Sequence, residues 1–227
     1  MKPKICASLT GRSFRELKEL TNLANRNLAD FIEIRFDYLT ENLDASEIRN
    51  LSKKPLIATN RPVREGGLSK APEVARINSL ILASKRGFNY IDIELHTPNL
   101  QKIIKQLKKE KCKVIVSYHN YKETPSIQYL HEIMKKEITI GADICKVIST
   151  AKNIEDNITP LNLITQTFSK KRNIIAFCMG NQGQLSRLLS PFIGGAFTYA
   201  SVKRGKEAAP GQVSLTIMKQ IYALMNL

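Results

Sequence analysis

The chain has 227 residues, 43% of them hydrophobic and 24% charged, and a formal net charge of +15. A single domain over 1–227 can bury a full core at this length, and the proportions of apolar and charged residues are those of an ordinary globular chain rather than a disordered or fibrous one. The longest apolar runs fall far short of the ~20 residues of a membrane helix, and the opening MKPKICASLT lacks the apolar stretch of a secretion signal, so no membrane partner and a cytoplasmic location are expected.

A β-like run near 4–9 opens the chain and leads into SLTGRS, which lacks the glycine spacing of a dinucleotide-binding turn. Ser13, with Glu16 three residues on, is placed to cap a helix over 13–28. A second run near 31–36 precedes a short helical segment around 44–51, and a third near 56–60 precedes a helix over 73–86. Runs near 90–95 and 113–118 lead into helices over 98–110 and 125–137; Pro98 and Pro125 suit helix starts, where a missing N–H costs little. Runs near 143–148, 173–178 and 196–200 alternate with helices over 153–168, briefly around 182–190, and over 212–225. KVIVSY, ADICKVI and NIIAFCM are nearly continuous apolar runs, as strands covered on both faces of a parallel sheet must be. Eight strands alternating with helices is the count of a closed parallel (β/α)8 TIM barrel; an open doubly wound sheet is the alternative.

Cys6, Cys112, Cys145 and Cys178 lack CxxC spacing and read as small buried hydrophobes rather than disulfide or zinc ligands. The positive charge is spread over many helices, with only short clusters such as KKEKCK, and fits a nucleic-acid partner or anionic small molecules equally well.

In a barrel of this kind the chemistry gathers at the C-terminal ends of the strands, and polar residues cluster there. Glu33, Arg35 and Asp37 alternate on the second run, Thr59-Asn60-Arg61 closes the third and continues to Arg64-Glu65-Gly66-Gly67, and Asp92 and Glu94 lie on the fourth. Ser117-Tyr118-His119 closes the fifth, and the sixth holds Asp143 and Lys146. The charges either form a paired layer that fills the mouth or bind an anion through arginine. Lys146, flanked by Ile144, Cys145, Val147 and Ile148, is either a desolvated, neutral, nucleophilic amine or a lysine that snorkels to the surface or pairs with Asp143. His119 ends an apolar strand, where general acid–base work would put it, and has no second histidine or cysteine at ligand spacing, so no metal is expected. Late in the chain, Met179-Gly180-Asn181, Ser186-Arg187 and Ala209-Pro210-Gly211-Gln212 form either an anion site or, for the last, a helix-entry turn. The loop near 201–209, rich in Lys, Arg and Gly, suits a lid that orders over bound substrate.

The pieces EIRFD (33–37), NRPVREGG (60–67), DIEL (92–95), SYHNY (117–121), ADICKV (142–147), MGNQGQLSR (179–187) and APGQ (209–212), in this order, resemble the type I 3-dehydroquinate dehydratases of the shikimate pathway. The resemblance implies a cofactor-free barrel enzyme, usually a homodimer, that eliminates water from 3-dehydroquinate. It implies Lys146 as the Schiff-base nucleophile and His119 as the proton carrier. Glu65 would position the histidine and favour its charged form; Ser8, Glu33, Arg35 and Arg61 would bind the substrate ring; Arg187, helped by Gln212, would clamp the carboxylate. Two positions depart from the family's pattern: Ala208 stands where a serine is common, leaving Ser201 or Glu207 to substitute, and Ile34 stands where a tryptophan is common. A class I aldolase or transaldolase shares the barrel and the lysine, but its sugar-phosphate substrates call for a phosphate-binding glycine loop, for which Gly194-Gly195 is a weak match. A nucleic-acid-binding protein driven by the net charge is the remaining reading.

Overall fold

The computed structural model describes residues 2–168 and 173–225; the ends of the expected 1–227 domain and residues 169–172 lie outside the described residues. Strands and helices alternate in the order β1 (Ile5–Leu9), α1 (Phe14–Arg26), β2 (Phe31–Arg35), α2 (Ala45–Arg49), β3 (Leu56–Thr59), α3 (Glu73–Lys85), β4 (Tyr90–Glu94) and α4 (Leu100–Lys109). They continue with β5 (Lys113–His119), α5 (Ile127–Ile140), β6 (Ile144–Thr150), α6 (Ile158–Phe168), β7 (Ile174–Met179), α7 (Gln184–Leu189), β8 (Thr198–Ser201) and α8 (Leu215–Leu224). The strands lie in one parallel sheet in the order β8-β1-β2-β3-β4-β5-β6-β7. Between β7 and β8 the wall is joined outside the named ladders, where Ala196 N, just ahead of β8, donates to Ile174 O at 2.7 Å; Thr198 Oγ1 of β8 donates to Arg187 O of α7 at 2.8 Å. This is the (β/α)8 barrel that the eight runs predict.

Local chemistry explains the boundaries. Ser13 Oγ accepts from Glu16 N at 3.2 Å, while the Glu16 carboxylate reaches back one residue further than a simple capping box, to Arg12 N at 2.8 Å. Pro98 and Pro125 stand outside the helices they announce: α4 is capped by Asn99 in a left-handed conformation, and α5 by Ser126, whose hydroxyl accepts from Tyr129 N. Outward residues of the strands, such as Ile32, Ile34, Val114 and Val116, pack against helical Leu17, Leu20, Leu80 and Leu107 in one large core.

Inward residues of alternate strands stack in layers, because the barrel's stagger advances the level by about two residues for every two strands. Phe31, Tyr90, Ile144 and Phe197 form the floor, with Phe31 stacked on Phe197 at 4.6 Å and edge-on to Tyr90 at 5.8 Å. Cys6, Ile57, Ile115 and Ile175 of the other four strands make the next apolar layer, and Glu33, Asp92, Lys146 and Tyr199 lie above it. An apolar plug therefore closes the bottom, and charge begins one layer above it.

Candidate active site

Strand alternation aims Lys146 inward, while Cys145 and Val147 pack outward against α5 and α6. Its Nζ meets Asp92 Oδ2 at 2.7 Å and lies 4.3 Å from the centre of the Tyr199 ring. Asp143 is not its partner. Three residues away on a strand, it faces the other side and sits at the N-terminal end of β6, where it accepts from Val114 N at 2.8 Å and meets Lys108 at 3.3 Å.

Behind the lysine runs a chain of alternating charges. Arg61 donates to Asp92 at 2.7 Å and to Glu94 at 2.9 Å; Glu94 in turn meets the fully buried Arg76 at 2.7 Å, and Arg76 reaches Glu73 at 2.6 Å. Buried charges survive only when paired, and here every carboxylate in the chain touches two cations or a cation and a hydroxyl. Burial alone would raise the Asp92 carboxyl, but Arg61, Lys146 and the hydrogen bond from Lys146 hold it far below the ordinary carboxylate range. Asp92, Glu94 and Arg61 thus form the paired layer, which Arg76, unmarked in the sequence, completes. Arg61 reaches the pocket wall with both terminal nitrogens already committed, which makes it more a frame for Asp92 than a free donor to a ring hydroxyl.

Glu33 accepts from Ser8 Oγ and from Thr59 Oγ1, both at 2.7 Å. Arg35 grips Asp37 through two nitrogens, at 2.8 and 2.7 Å, and spends its third on Ala208 O at 3.4 Å.

His119 sits across from Lys146 on the neighbouring strand: β5 and β6 pair Ser117 with Lys146 and His119 with Ile148. Burial holds the imidazole well below its usual range, helped by the cations Arg61, Lys146 and Arg35 and only partly opposed by Asp92. It is neutral at physiological pH. The charged form expected beside Glu65 is therefore not the resting state. The Glu65 carboxylate stands 4.0 Å from His119 Nδ1, and burial, with Glu94 and Asp92 against Arg61 and Arg64, pushes Glu65 up to about 7.

Arg187 is 1% exposed and makes no ion pair among the described residues. Its guanidinium lies 4.3 Å above the Phe177 ring, donates to the carbonyls of Tyr199 at 3.5 Å and Pro210 at 3.3 Å, and leaves Nε without a partner. Desolvation lowers it to about 10. Of the backbone donors around it, Gly180 N is spent on Pro210 O at 3.2 Å, and Gly211, at φ 74°, packs so tightly that a Cβ would stand 2.2 Å from Gly180 O. APGQ is this interlock, not a helix entry, since α8 begins at Leu215 after its cap Ser214.

The loop after β8 is docked by protein contacts. Ala208 N donates to Gln212 Oε1 at 2.7 Å, Thr10 Oγ1 donates to Lys206 O at 3.3 Å, and Lys206 pairs with Glu16. Gln212 thus anchors the loop through Oε1, and its Nε2 remains the group that can donate to a carboxylate. Neither residue suggested as a stand-in for the missing serine reaches the pocket wall: Ser201 Oγ is buried without a hydrogen-bond partner, and exposed Glu207 turns back to Gly205 N.

One pocket at the C-terminal ends of the strands gathers Ser8, Glu33, Arg35, Arg61, His119, Lys146, Arg187 and Gln212; Glu65 stands just behind His119. Sequence reasoning missed three others on its wall: Tyr121, Phe177 and Tyr199. Strand periodicity carried a signal for the last two, which share the inward face with Met179 and Ser201.

A parallel barrel with buried charge and one small pocket at its strand ends is built as an enzyme for a small molecule. The chain belongs to the type I 3-dehydroquinase family, whose model matches residues 5–227. The 3-dehydroquinate dehydratase of Dehalococcoides mccartyi is 41% identical over 99% of this chain and 96% of its own length; that of Methanocaldococcus jannaschii is 37% identical over 88% and 89%. Among solved structures, 3-dehydroquinate dehydratase from Geobacillus kaustophilus superposes with a TM-score of 0.91 at 25% identity, over 100% of this chain and 92% of that one. The type I enzyme from Clostridium difficile, with covalently modified comenic acid, gives 0.87 at 26%, over 98% and 92%. A deoxyribose phosphate aldolase from Aeropyrum pernix shares the fold alone, at 0.66 and 16% identity over 97% and 90%.

Proposed function

We propose that this chain removes water from 3-dehydroquinate through a Schiff base on Lys146, giving 3-dehydroshikimate, the third step of the shikimate pathway. The observation that carries the reading is the pocket's arrangement: the inward Lys146 amine, a neutral buried His119 on the adjacent strand, and an arginine that no carboxylate among the described residues neutralises.

The steps follow from those groups. Lys146 Nζ, once deprotonated, adds to the C3 carbonyl carbon; the carbonyl oxygen takes up protons and leaves as water, and an iminium remains. The positive nitrogen acidifies C2. Neutral His119 takes a C2 proton, and the bond's electrons move into the iminium to give an enamine. The enamine then expels the C1 hydroxyl, which leaves as water with the proton His119 returns, on the same face. Hydrolysis of the conjugated iminium consumes one water and frees product and lysine, so the net loss is one water. No cofactor is required, because the lysine nitrogen is the electron sink. Ser8, Glu33 and Arg35 line the ring's seat, Arg61 keeps Asp92 against the lysine, and Glu65 supports the imidazolium after the first proton transfer. The reaction is that of a cytoplasmic homodimer in this reading, with a small anion and no nucleic acid as partner.

Intact-protein mass spectrometry after 3-dehydroquinate and borohydride, followed by peptide mapping, tests this. A reduced adduct on Lys146 is expected; a folded protein that turns over substrate without forming any adduct would overturn the lysine chemistry.

Arg187 carries a second expectation. Its burial without an anion costs the free protein stability that a bound carboxylate returns. Arg187→Met should therefore raise KM about 10- to 100-fold, the worth of one charge-assisted hydrogen bond or somewhat more, while leaving the free protein's melting temperature unchanged or higher. An unaltered KM would remove Arg187 from the carboxylate site.

A further inference from the structure

Tyr121, the last residue of SYHNY, has no part in the chemistry described so far, yet it touches both members of the proton-transfer pair. Its ring lies nearly parallel to the His119 imidazole, 20° between planes with centres 5.9 Å apart, and its hydroxyl donates to the Glu65 carbonyl at 2.7 Å. The next residue in the Glu65 turn leaves room for that hydroxyl only because it is a glycine. Gly66 has φ 72°, and a Cβ there would stand 2.3 Å from the Tyr121 hydroxyl oxygen. His119 Nδ1 faces the Glu65 carboxylate at 4.0 Å with no hydrogen-bond partner of its own, so nothing in the pair itself fixes the separation.

We propose that Tyr121 is a positioning residue for the His119–Glu65 pair: its hydroxyl pins the Glu65 turn and its ring backs the imidazole, setting the distance at which the Glu65 carboxylate supports the His119 imidazolium. The proposal rests on the proton-carrier role of His119 given above. The groups facing Glu65 are Arg61 and Arg64, which favour its ionised form, and Glu94 and Asp92, which oppose it; burial opposes it most. Those facing His119 are Arg61, Lys146, Arg35 and Asp92. Burial raises the Tyr121 phenol, which keeps it a donor.

The test is Tyr121→Phe, which deletes the hydroxyl and keeps the ring. With Glu65 ionised in the working form, kcat of the parent protein should rise with pH through about 7. In the variant the freed turn hydrates, so this limb moves toward the ordinary carboxylate range. Above the limb kcat falls roughly 3- to 10-fold, the worth of one neutral hydrogen bond, with KM little changed. In a Glu65→Gln background the same substitution should add no further loss, because its effect passes through that carboxylate. A parent-like limb and kcat in Tyr121→Phe, or a fully additive loss in the double variant, would overturn the proposal. NMR titration of the Glu65 carboxyl in the ligand-free protein reads the same downward shift without turnover. It therefore succeeds or fails independently of the dehydratase reading, and an unmoved midpoint also overturns the proposal.

Discussion

Lys146→Ala should abolish both the borohydride adduct and turnover, with a fall in kcat of at least about 10^4, or ~5.5 kcal/mol of barrier. The size of the effect follows from the absence of a substitute electron sink: among the described residues lining the pocket, no other amine projects into it. Arg61 and Arg35 are tied to carboxylates, and a guanidinium does not form imines under these conditions. Loss of the lysine also removes one of two cations from the fully buried Asp92, so some stability goes with it; Arg61, at 2.7 Å, remains to hold the charge. Lys146→Met fills the same volume and separates the two effects. It should melt as a cooperative fold and still give no adduct. Turnover by either variant within tenfold of the parent would show that the covalent route is wrong.

How much of this could be read along the chain depends on the range of the interaction. Parallel strands covered on both faces announce themselves as apolar runs, so all eight are found within a few residues; His119 stands out as the polar end of β5 and Lys146 as a charge inside the apolar β6. Strand parity could also have ruled out Asp143 as the lysine's partner, since an odd spacing puts the two on opposite faces. The actual partner, Asp92, lies 54 residues away and is brought to 2.7 Å by the stagger of the barrel, which no local pattern encodes. The same holds for Arg187. That it lacks an acidic neighbour is a property of every element around it at once. Tyr121 escaped for a different reason: its bond goes to a backbone carbonyl, which has no side-chain signature. Loop chemistry was the least legible: nothing along the chain announces that Gly180 N donates to Pro210 O with Gly211 packed against Gly180, or that Gln212 Oε1 accepts from Ala208 N.

His119→Ala separates the two halves of the reaction. The amine can still reach C3 without the imidazole, more slowly, so borohydride should continue to trap an adduct on Lys146. Elimination should fall by about 10^2- to 10^4-fold, the usual contribution of a positioned general acid–base. The trapped species tells which half failed: in the variant it should carry the mass of reduced substrate, heavier by one water than the reduced product that accumulates if elimination still runs. The pH behaviour has a definite sign as well. Burial and the three cations keep the parent's imidazole neutral well into acid, so its basic form is present throughout the neutral range, and the rise of activity expected with pH through about 7 belongs to Glu65. Removing His119 removes the group that Glu65 supports, and that limb should flatten in the residual rate. A product-mass adduct at parent-like rates, or an unchanged limb at about 7, would assign the proton transfer to some other group in the pocket, and the free phenol of Tyr199 beside Lys146 would be the next to test.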